Sequence, residues 1–261
     1  LDSGHTIDVT VHQGAGAYIC GEETGMMNSL EGRRGEPRIK PPFPAAVGAF
    51  GKPSTINNVD TLSTIPHIVK NGGEWYRQYG TEKSPGTKLF CVSGHVNKPG
   101  NYELPLGFPL IELIEDVCGG VKNGNALKAV IPGGSSVPLI NAEEARACKL
   151  DYEGCVEVGT MLGCASVIVM DETADIVKQV RRMVDFYAHE SCGQCTPCRE
   201  GTSWTAQILR RIESGKGIED DLDTLMEMTQ NMVGTTICVL SDSVAAPVQS
   251  SIEKFRDEYL A

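Results

Sequence analysis

Three thiols in Ser191-Cys192-Gly193-Gln194-Cys195-Thr196-Pro197-Cys198 carry the strongest chemical signal of this sequence, two residues separating each cysteine from the next. At that spacing three sulfurs can converge on one centre from a loop that wraps around it, as the first three ligands of a cubane iron–sulfur cluster do. No fourth cysteine follows at ferredoxin spacing, so the last ligand must come from elsewhere. Cys238, in Gly234-Thr235-Thr236-Ile237-Cys238, is the only cysteine C-terminal to the triplet. Four thiolates also satisfy tetrahedral zinc, but zinc sites more often pair one CxxC with another than use a triplet and a distant single residue. Thr196-Pro197 can start a helix whose amide N–H groups point at the thiolates, and Arg199 either adds positive charge beside them or is an ordinary surface residue. The expected chemistry is electron transfer, rather than hydrolysis or nucleic-acid binding.

A second group lies near the N-terminus. Gly14-Ala15-Gly16-Ala17-Tyr18-Ile19 offers GxG but has Ile19 where a dinucleotide fingerprint needs its third glycine, so it reads as a tight turn. Gly21-Glu22-Glu23-Thr24 sets two adjacent carboxylates after a residue that lets a ligand approach the backbone, or simply loads the first turn of a helix with favourable charge. Arg33, Arg34, Arg38 and Lys40 lie in a Pro/Gly loop that could meet phosphate and whose composition favours a solvated surface loop. Asn57-Asn58 can donate to a phosphate or a heterocycle, or cap a helix.

Composition narrows the classes. The 261 residues are 41% hydrophobic, enough for two or three modules with their own cores. A formal charge of −11 argues against broad contact with a nucleic-acid backbone. No apolar run reaches the ~18–20 residues of a membrane span. Ten cysteines in so long a chain, most of them irregularly spaced, fit a reducing compartment better than a disulfide framework. Cys20, Cys91, Cys118, Cys148, Cys155 and Cys164 read as buried free thiols. A start at Leu1, without Met and just before a strand-like alternation, leads us to expect further chain upstream.

The elements that must position these residues follow from periodicity. Thr6 to His12 alternates as a half-buried strand does, and Gly21 to Leu30 can be helical up to Gly32. Gly35 to Pro53 cannot form regular helix. Asn57-Asn58 caps a helix carrying Val59, Leu62, Ile65, Ile68 and Val69, bent or broken at Pro66 and stopped at Asn71-Gly72-Gly73. Leu89 to Ser93 and Asn101 to Leu104 read as a hairpin around Asn97-Lys98-Pro99-Gly100. A short helix starts with Pro109 in its first position, and strands fall at Ala126 to Ile131 and Ala165 to Met170. From Asp171 the period is helical, with an apolar stripe of Ile176, Val180, Met183, Val184 and Tyr187. Further helices follow Pro197, run from Glu219 to Val233, and run from Pro247 to Leu260 with Val248, Ile252, Phe255 and Tyr259 on one face.

Taken together, Gly14-Ala15-Gly16-Ala17-Tyr18-Ile19-Cys20-Gly21-Glu22-Glu23-Thr24, Asn28-Ser29-Leu30-Glu31-Gly32-Arg33-Arg34-Gly35, Lys40-Pro41-Pro42-Phe43-Pro44, Asn57-Asn58-Val59-Asp60-Thr61 and Glu190 to Gly201 form a recognisable set. Across essentially the whole chain it resembles the family of NADH-oxidising flavoprotein subunits of respiratory complex I, the F subunit of bacterial NADH:quinone oxidoreductase. The resemblance implies a multi-domain α/β fold. Residues 1–86 would be the C-terminal part of an FMN- and NADH-binding domain, 87–171 a β-grasp domain of the soluble-ligand-binding type, and 172–261 a helical bundle holding a [4Fe–4S] cluster on Cys192, Cys195, Cys198 and Cys238. It further implies that Gly21, Glu22, Glu23, Asn57 and Asn58 line the flavin and nicotinamide pocket. Glu22 and Glu23 would be its catalytic carboxylates, tuning the flavin potential or speeding release of the oxidised nicotinamide. The family's first glycine-rich loop, with the aromatic residues that stack on NADH, has no counterpart in this sequence. The implied partners are a [2Fe–2S] thioredoxin-like subunit and a larger iron–sulfur subunit, in a peripheral assembly on the cytoplasmic face of the inner membrane, or the matrix side in a mitochondrion. Diaphorase subunits of NAD(P)-linked hydrogenases and formate dehydrogenases share these motifs. From another class, a zinc-stabilised ligand- or partner-binding module remains open on the residues alone.

Overall fold

The computed structural model describes residues 4–260, and the chain divides into two compact units, Leu1–Ile56 and Asn57–Ala261.

In the first unit a 3-10 turn (Tyr18–Gly21) leads into helix α1 (Glu23–Leu30). Glu22 caps the helix by accepting from the N–H groups of Thr24 and Gly25. Gly32, at φ +77°, turns the chain away from the helix end. The Pro-rich stretch that follows has no helix beyond a three-residue 3-10 turn (Ala49–Gly51), as its composition dictates. The expected strand at Thr6 to His12 is not formed. Ile7, Val9 and Val11 are 83%, 86% and 91% exposed, because an alternating segment becomes a strand only when a neighbour accepts its hydrogen bonds.

The second unit opens with helix α2 (Val59–Asn71), capped by the Asn58 side chain on Asp60 N–H and closed by Gly72 at φ +89°. The helix runs through Pro66 without a break, and none of its residues is buried. A short helix α3 (Gly73–Arg77), which the periodicity does not announce, follows it.

Strands β1 (Thr87–Gly94) and β2 (Gly100–Pro105) form the expected hairpin, with Phe90 opposite Tyr102. After β3 (Phe108–Pro109), Pro109 stands at the cap of helix α4 (Leu110–Glu112) rather than in its first turn, and the helix continues as a π turn over Leu113–Val117. Then come β4 (Leu127–Ile131), β5 (Ile140–Asn141), α5 (Ala142–Ala147), β6 (Lys149–Leu150), α6 (Tyr152–Glu157) and β7 (Ser166–Asp171). The main sheet has the order β2-β1-β7-β4-β5, β1 and β7 running parallel and the other pairs antiparallel, while β3 and β6 form a separate two-stranded ribbon. Phe90, Leu110, Leu113, Ile114, Val130, Ile140, Leu150, Val167 and Val169 belong to its core. Each such side chain contributes about 1.5–3 kcal/mol when fully buried. β4 and β7 are central and covered, and their apolar residues run together as Ala129-Val130-Ile131 and Val167-Ile168-Val169-Met170.

The last third is helical: α7 (Ile176–Glu190), α8 (Thr196–Glu213), α9 (Asp221–Met232) and α10 (Leu240–Leu260) pack on one another. Ile176, Val180, Val184 and Tyr187 form the buried stripe of α7, with Met183 only half-buried. Helix α10 begins at Leu240, two turns ahead of the expected start at Pro247, which sits inside it. At Gly201 an added Cβ would stand 2.6 Å from Met232 Sδ, so the missing side chain lets α8 approach α9 closely.

Candidate functional site

Helix α7 is capped at its C-terminal end by Ser191, whose hydroxyl lies 3.2 Å from Cys198 Sγ and accepts from Gly193 N–H at 3.3 Å. Gly193 takes φ +82°, a conformation an L side chain resists, and so reverses the chain between Cys192 and Cys195. Cys195 occupies the N-cap position of α8, and Pro197 stands in the first turn, where its missing N–H costs nothing. Cys198 lies on that same first turn, near the positive end of the helix dipole. Arg199 donates to Gly193 O at 2.7 Å and pairs with Glu200, which fastens the loop to the helix.

From the other side, α9 ends at Met232 and the chain turns at Gly234, φ +68°. The Thr236 hydroxyl donates to Cys238 O at 2.7 Å and lies 2.6 Å from the Ser241 hydroxyl, shaping the segment into the start of α10. Ile237 N–H then donates to Cys195 Sγ at 3.4 Å. Burial pushes the Cys198 thiol up, the Ser191 hydroxyl opposes it, and the charges of Cys238, Cys192 and Cys195 add to the rise. All four cysteines thus share one neighbourhood, although Cys238 lies far along the chain from the triplet.

A donor set of four thiols around one helix N-terminus has the chemistry an iron–sulfur cluster needs. The N–H donor on Cys195 and the helix N-terminus beside Cys198 both favour a sulfur ligand set carrying negative charge.

In the first unit Glu22 accepts from the Thr24 hydroxyl at 2.5 Å and from the N–H groups of Thr24 and Gly25 at 2.8 and 2.7 Å. Burial raises its pKa, but these donors and Lys40 outweigh burial and hold the carboxyl below its ordinary value. Lys40 Nζ lies 3.3 Å from Glu22 Oε1 and pairs with Glu23, and the Glu23 contact chiefly raises the Lys40 pKa. No motif spacing signals this pairing across 17 residues. The other loop cations are paired too: Arg33 and Arg38 with Glu31, and Arg34 with Glu36. A Cβ on Gly21 would meet nothing within 4 Å, so its backbone face is open. Asn57 and Asn58 belong to the second unit, where the Asn58 side chain is engaged in capping α2.

None of the ten cysteines is in a disulfide. Cys118, Cys148 and Cys155 are buried as expected, whereas Cys20 is half-buried and Cys91 and Cys164 are exposed. The exposed pair corrects the expectation of burial: Cys91 lies on the uncovered side of β1, and Cys164 sits in the turn before β7.

Three family models match: the Nuo51 FMN-binding domain over residues 2–67, the SLBB domain over 88–169, and the NADH-ubiquinone oxidoreductase-F iron-sulfur binding region over 178–261. The F subunit of the NADH-quinone oxidoreductase of Mycobacterium tuberculosis is 52% identical over 99% of this chain and 58% of its own length. The mitochondrial NADH-ubiquinone oxidoreductase 51 kDa subunit of Neurospora crassa is 50% identical over 98% of this chain and 52% of its own. A crystal structure of an NAD+-reducing [NiFe]-hydrogenase matches at TM-score 0.85 and 40% identity, covering 94% of this chain and 42% of that one. The chain thus spans between half and two thirds of the length of the curated relatives it matches.

Proposed function

Because the chain belongs to the family of F subunits of NADH-quinone oxidoreductase, we propose that it forms part of an electron-input subunit that oxidises NADH through FMN and passes electrons to a [4Fe–4S] cluster, toward quinone. The observation that carries this reading is the return of the Cys238 segment onto the triplet loop, with Ile237 N–H on Cys195 Sγ. In this proposal residues 1–86 contribute to the flavin domain, 87–171 form the β-grasp module, and 172–261 hold the cluster on Cys192, Cys195, Cys198 and Cys238.

FMN accepts two electrons and releases them singly, and a [4Fe–4S] cluster carries one at a time. The chain's own residues bind and orient. Ser191 and the Ile237 N–H hydrogen-bond to sulfur, which stabilises negative charge on the ligand set. Gly21 leaves room for a ligand at the backbone, and Lys40 ties Glu23 to Glu22, itself fixed by Thr24 and Gly25. Asn57 and Asn58 are included in the proposed ligand lining on the strength of the family resemblance.

The proposed partners are a [2Fe–2S] thioredoxin-like subunit and a larger iron–sulfur subunit. The assembly is peripheral, on the cytoplasmic face of the inner membrane or the matrix side in a mitochondrion. No helix among the described residues is long and apolar enough to cross a membrane. The structural likeness at TM-score 0.85 supports a second reading, a diaphorase subunit of an NAD-linked hydrogenase. Metal, sulfide and flavin analysis of the protein purified anaerobically with its partners tests the proposal. Iron and sulfide at about four each per copy of this chain, beyond those of the partners' own clusters, are expected together with FMN. Stoichiometric zinc without iron would overturn it in favour of a zinc-stabilised module. Hydrogenase subunits among the co-purifying chains would select the second reading.

A further inference from the structure

Outside the cluster site, the two buried thiols of Cys148 and Cys155 stand with their sulfurs 4.0 Å apart, in the core beneath the main sheet. We propose that they form a redox-active dithiol, a modification site that closes to a disulfide when a small hydroperoxide oxidises it.

Local structure brings the pair together. Cys148 caps the C-terminal end of α5 and Cys155 lies within α6, with β6 and the cap residue Asp151 between them. Asp151 accepts from Gly154 N–H at 2.6 Å, and a Cβ on Gly154 would stand 2.7 Å from Lys149 O. Glycine at 154 therefore lets α6 fold back onto the backbone at Lys149. Both sulfurs then meet the same carbonyl, Cys148 Sγ at 3.7 Å and Cys155 Sγ at 3.6 Å from Lys149 O. A disulfide needs an S–S distance of about 2.05 Å, so closure asks for about 2 Å of approach, shared between two side-chain rotations.

The two thiols are not equivalent. The hydrogen bond between them holds Cys148 below its ordinary value, against burial and Asp151, and drives Cys155 far above its own. Cys148, at the end of α5 and the one of the two with any exposure, is the attacking sulfur, and Cys155, enclosed within α6, the resolving one. The Cys148 thiolate attacks a peroxide oxygen, the O–O bond breaks, and a sulfenic acid and one water form. Cys155 sulfur then displaces the sulfenic oxygen as a second water, so two thiols and one hydrogen peroxide give one disulfide and two waters. Sulfur is oxidised and the peroxide is reduced. Relative exposures of 1% and 0% exclude bulky oxidants and leave a small uncharged hydroperoxide as the class admitted.

The test uses the whole purified protein. Exposed thiols are blocked with N-ethylmaleimide, hydrogen peroxide is added, and the protein is unfolded, alkylated and digested with trypsin. The expected product joins Ala147–Lys149 to Leu150–Lys178 through Cys148 and Cys155, two hydrogens lighter than the reduced pair and released by dithiothreitol. Cys118, equally buried but without a neighbouring thiol, should oxidise about tenfold more slowly. In Cys155→Ser, Cys148 should instead be trapped by dimedone as a sulfenic acid. Retention of both alkylatable thiols at peroxide levels that oxidise Cys118 would overturn the proposal, as would sulfinic acid on Cys148 alone in the unsubstituted protein. If Cys155→Ser does not fold, the linked peptide decides by itself.

Discussion

At the scale of single residues, sulfur and carboxylate chemistry give the sharpest tests. Cys238 is held against the triplet loop through its neighbour Ile237, so Cys238→Ala should leave one iron without a thiolate. Electron paramagnetic resonance with iron counting is expected to show a three-iron form or no cluster, while Cys164→Ala, exposed in the turn before β7, leaves four irons. Glu23→Gln should change the kinetic constants of NADH:ferricyanide activity in the assembled complex with cluster content intact; unchanged constants would remove Glu23 from the proposed pocket. Asp171 allows a pH test. Burial raises its pKa, but hydrogen bonds from Thr173, Asn125 and His95 prevail and hold the folded carboxyl far below its ordinary 3.8. A depressed folded value adds stability above the unfolded value, and that stability is lost as pH falls from about 4 toward the folded one. Asp171→Asn should therefore flatten the dependence of the urea midpoint on pH between about 4 and 2.

At the scale of elements, close approach decides which substitutions the fold tolerates. Gly94 ends β1 at φ +88°, and an added Cβ would collide with Val169 O of β7. The backbone strain and the clash with rigid main chain act together, so Gly94→Ala should cost about 3 kcal/mol, read as a fall in the denaturant midpoint. The hairpin, the central strands and the four long helices are legible in the sequence because their apolar periods are long and unambiguous. The strand expected at Thr6 to His12 fails for an equally physical reason: alternation marks a face to bury, and pairing depends on a neighbour that local sequence does not contain.

At the scale of the whole molecule, the proposed cluster joins α8 to the segment before α10, and its removal should be felt there first. Chelation of iron is expected to raise amide hydrogen exchange by about tenfold or more in residues 191–199 and 234–241, while β1 and β7 keep their protection because their core is built from other elements. Mass spectrometry of exchange before and after chelation reads this out. Uniform loss of protection across the sheet would mean that sheet and helices unfold together.

The sequence by itself singled out the cysteine set as candidate ligands, because thiols at two-residue spacing have few uses and Cys238 alone follows them. It also determined the mixed sheet followed by helices, because the hydrophobic period switches from two to about 3.6 at Asp171. Tertiary structure decided what no spacing encodes: that Lys40 meets Glu22 and Glu23, that Ile237 donates to Cys195, and that Cys148 and Cys155 share one carbonyl. Each is a contact between separately folded segments, whose approach is set by packing at positions such as Gly154 and Gly201.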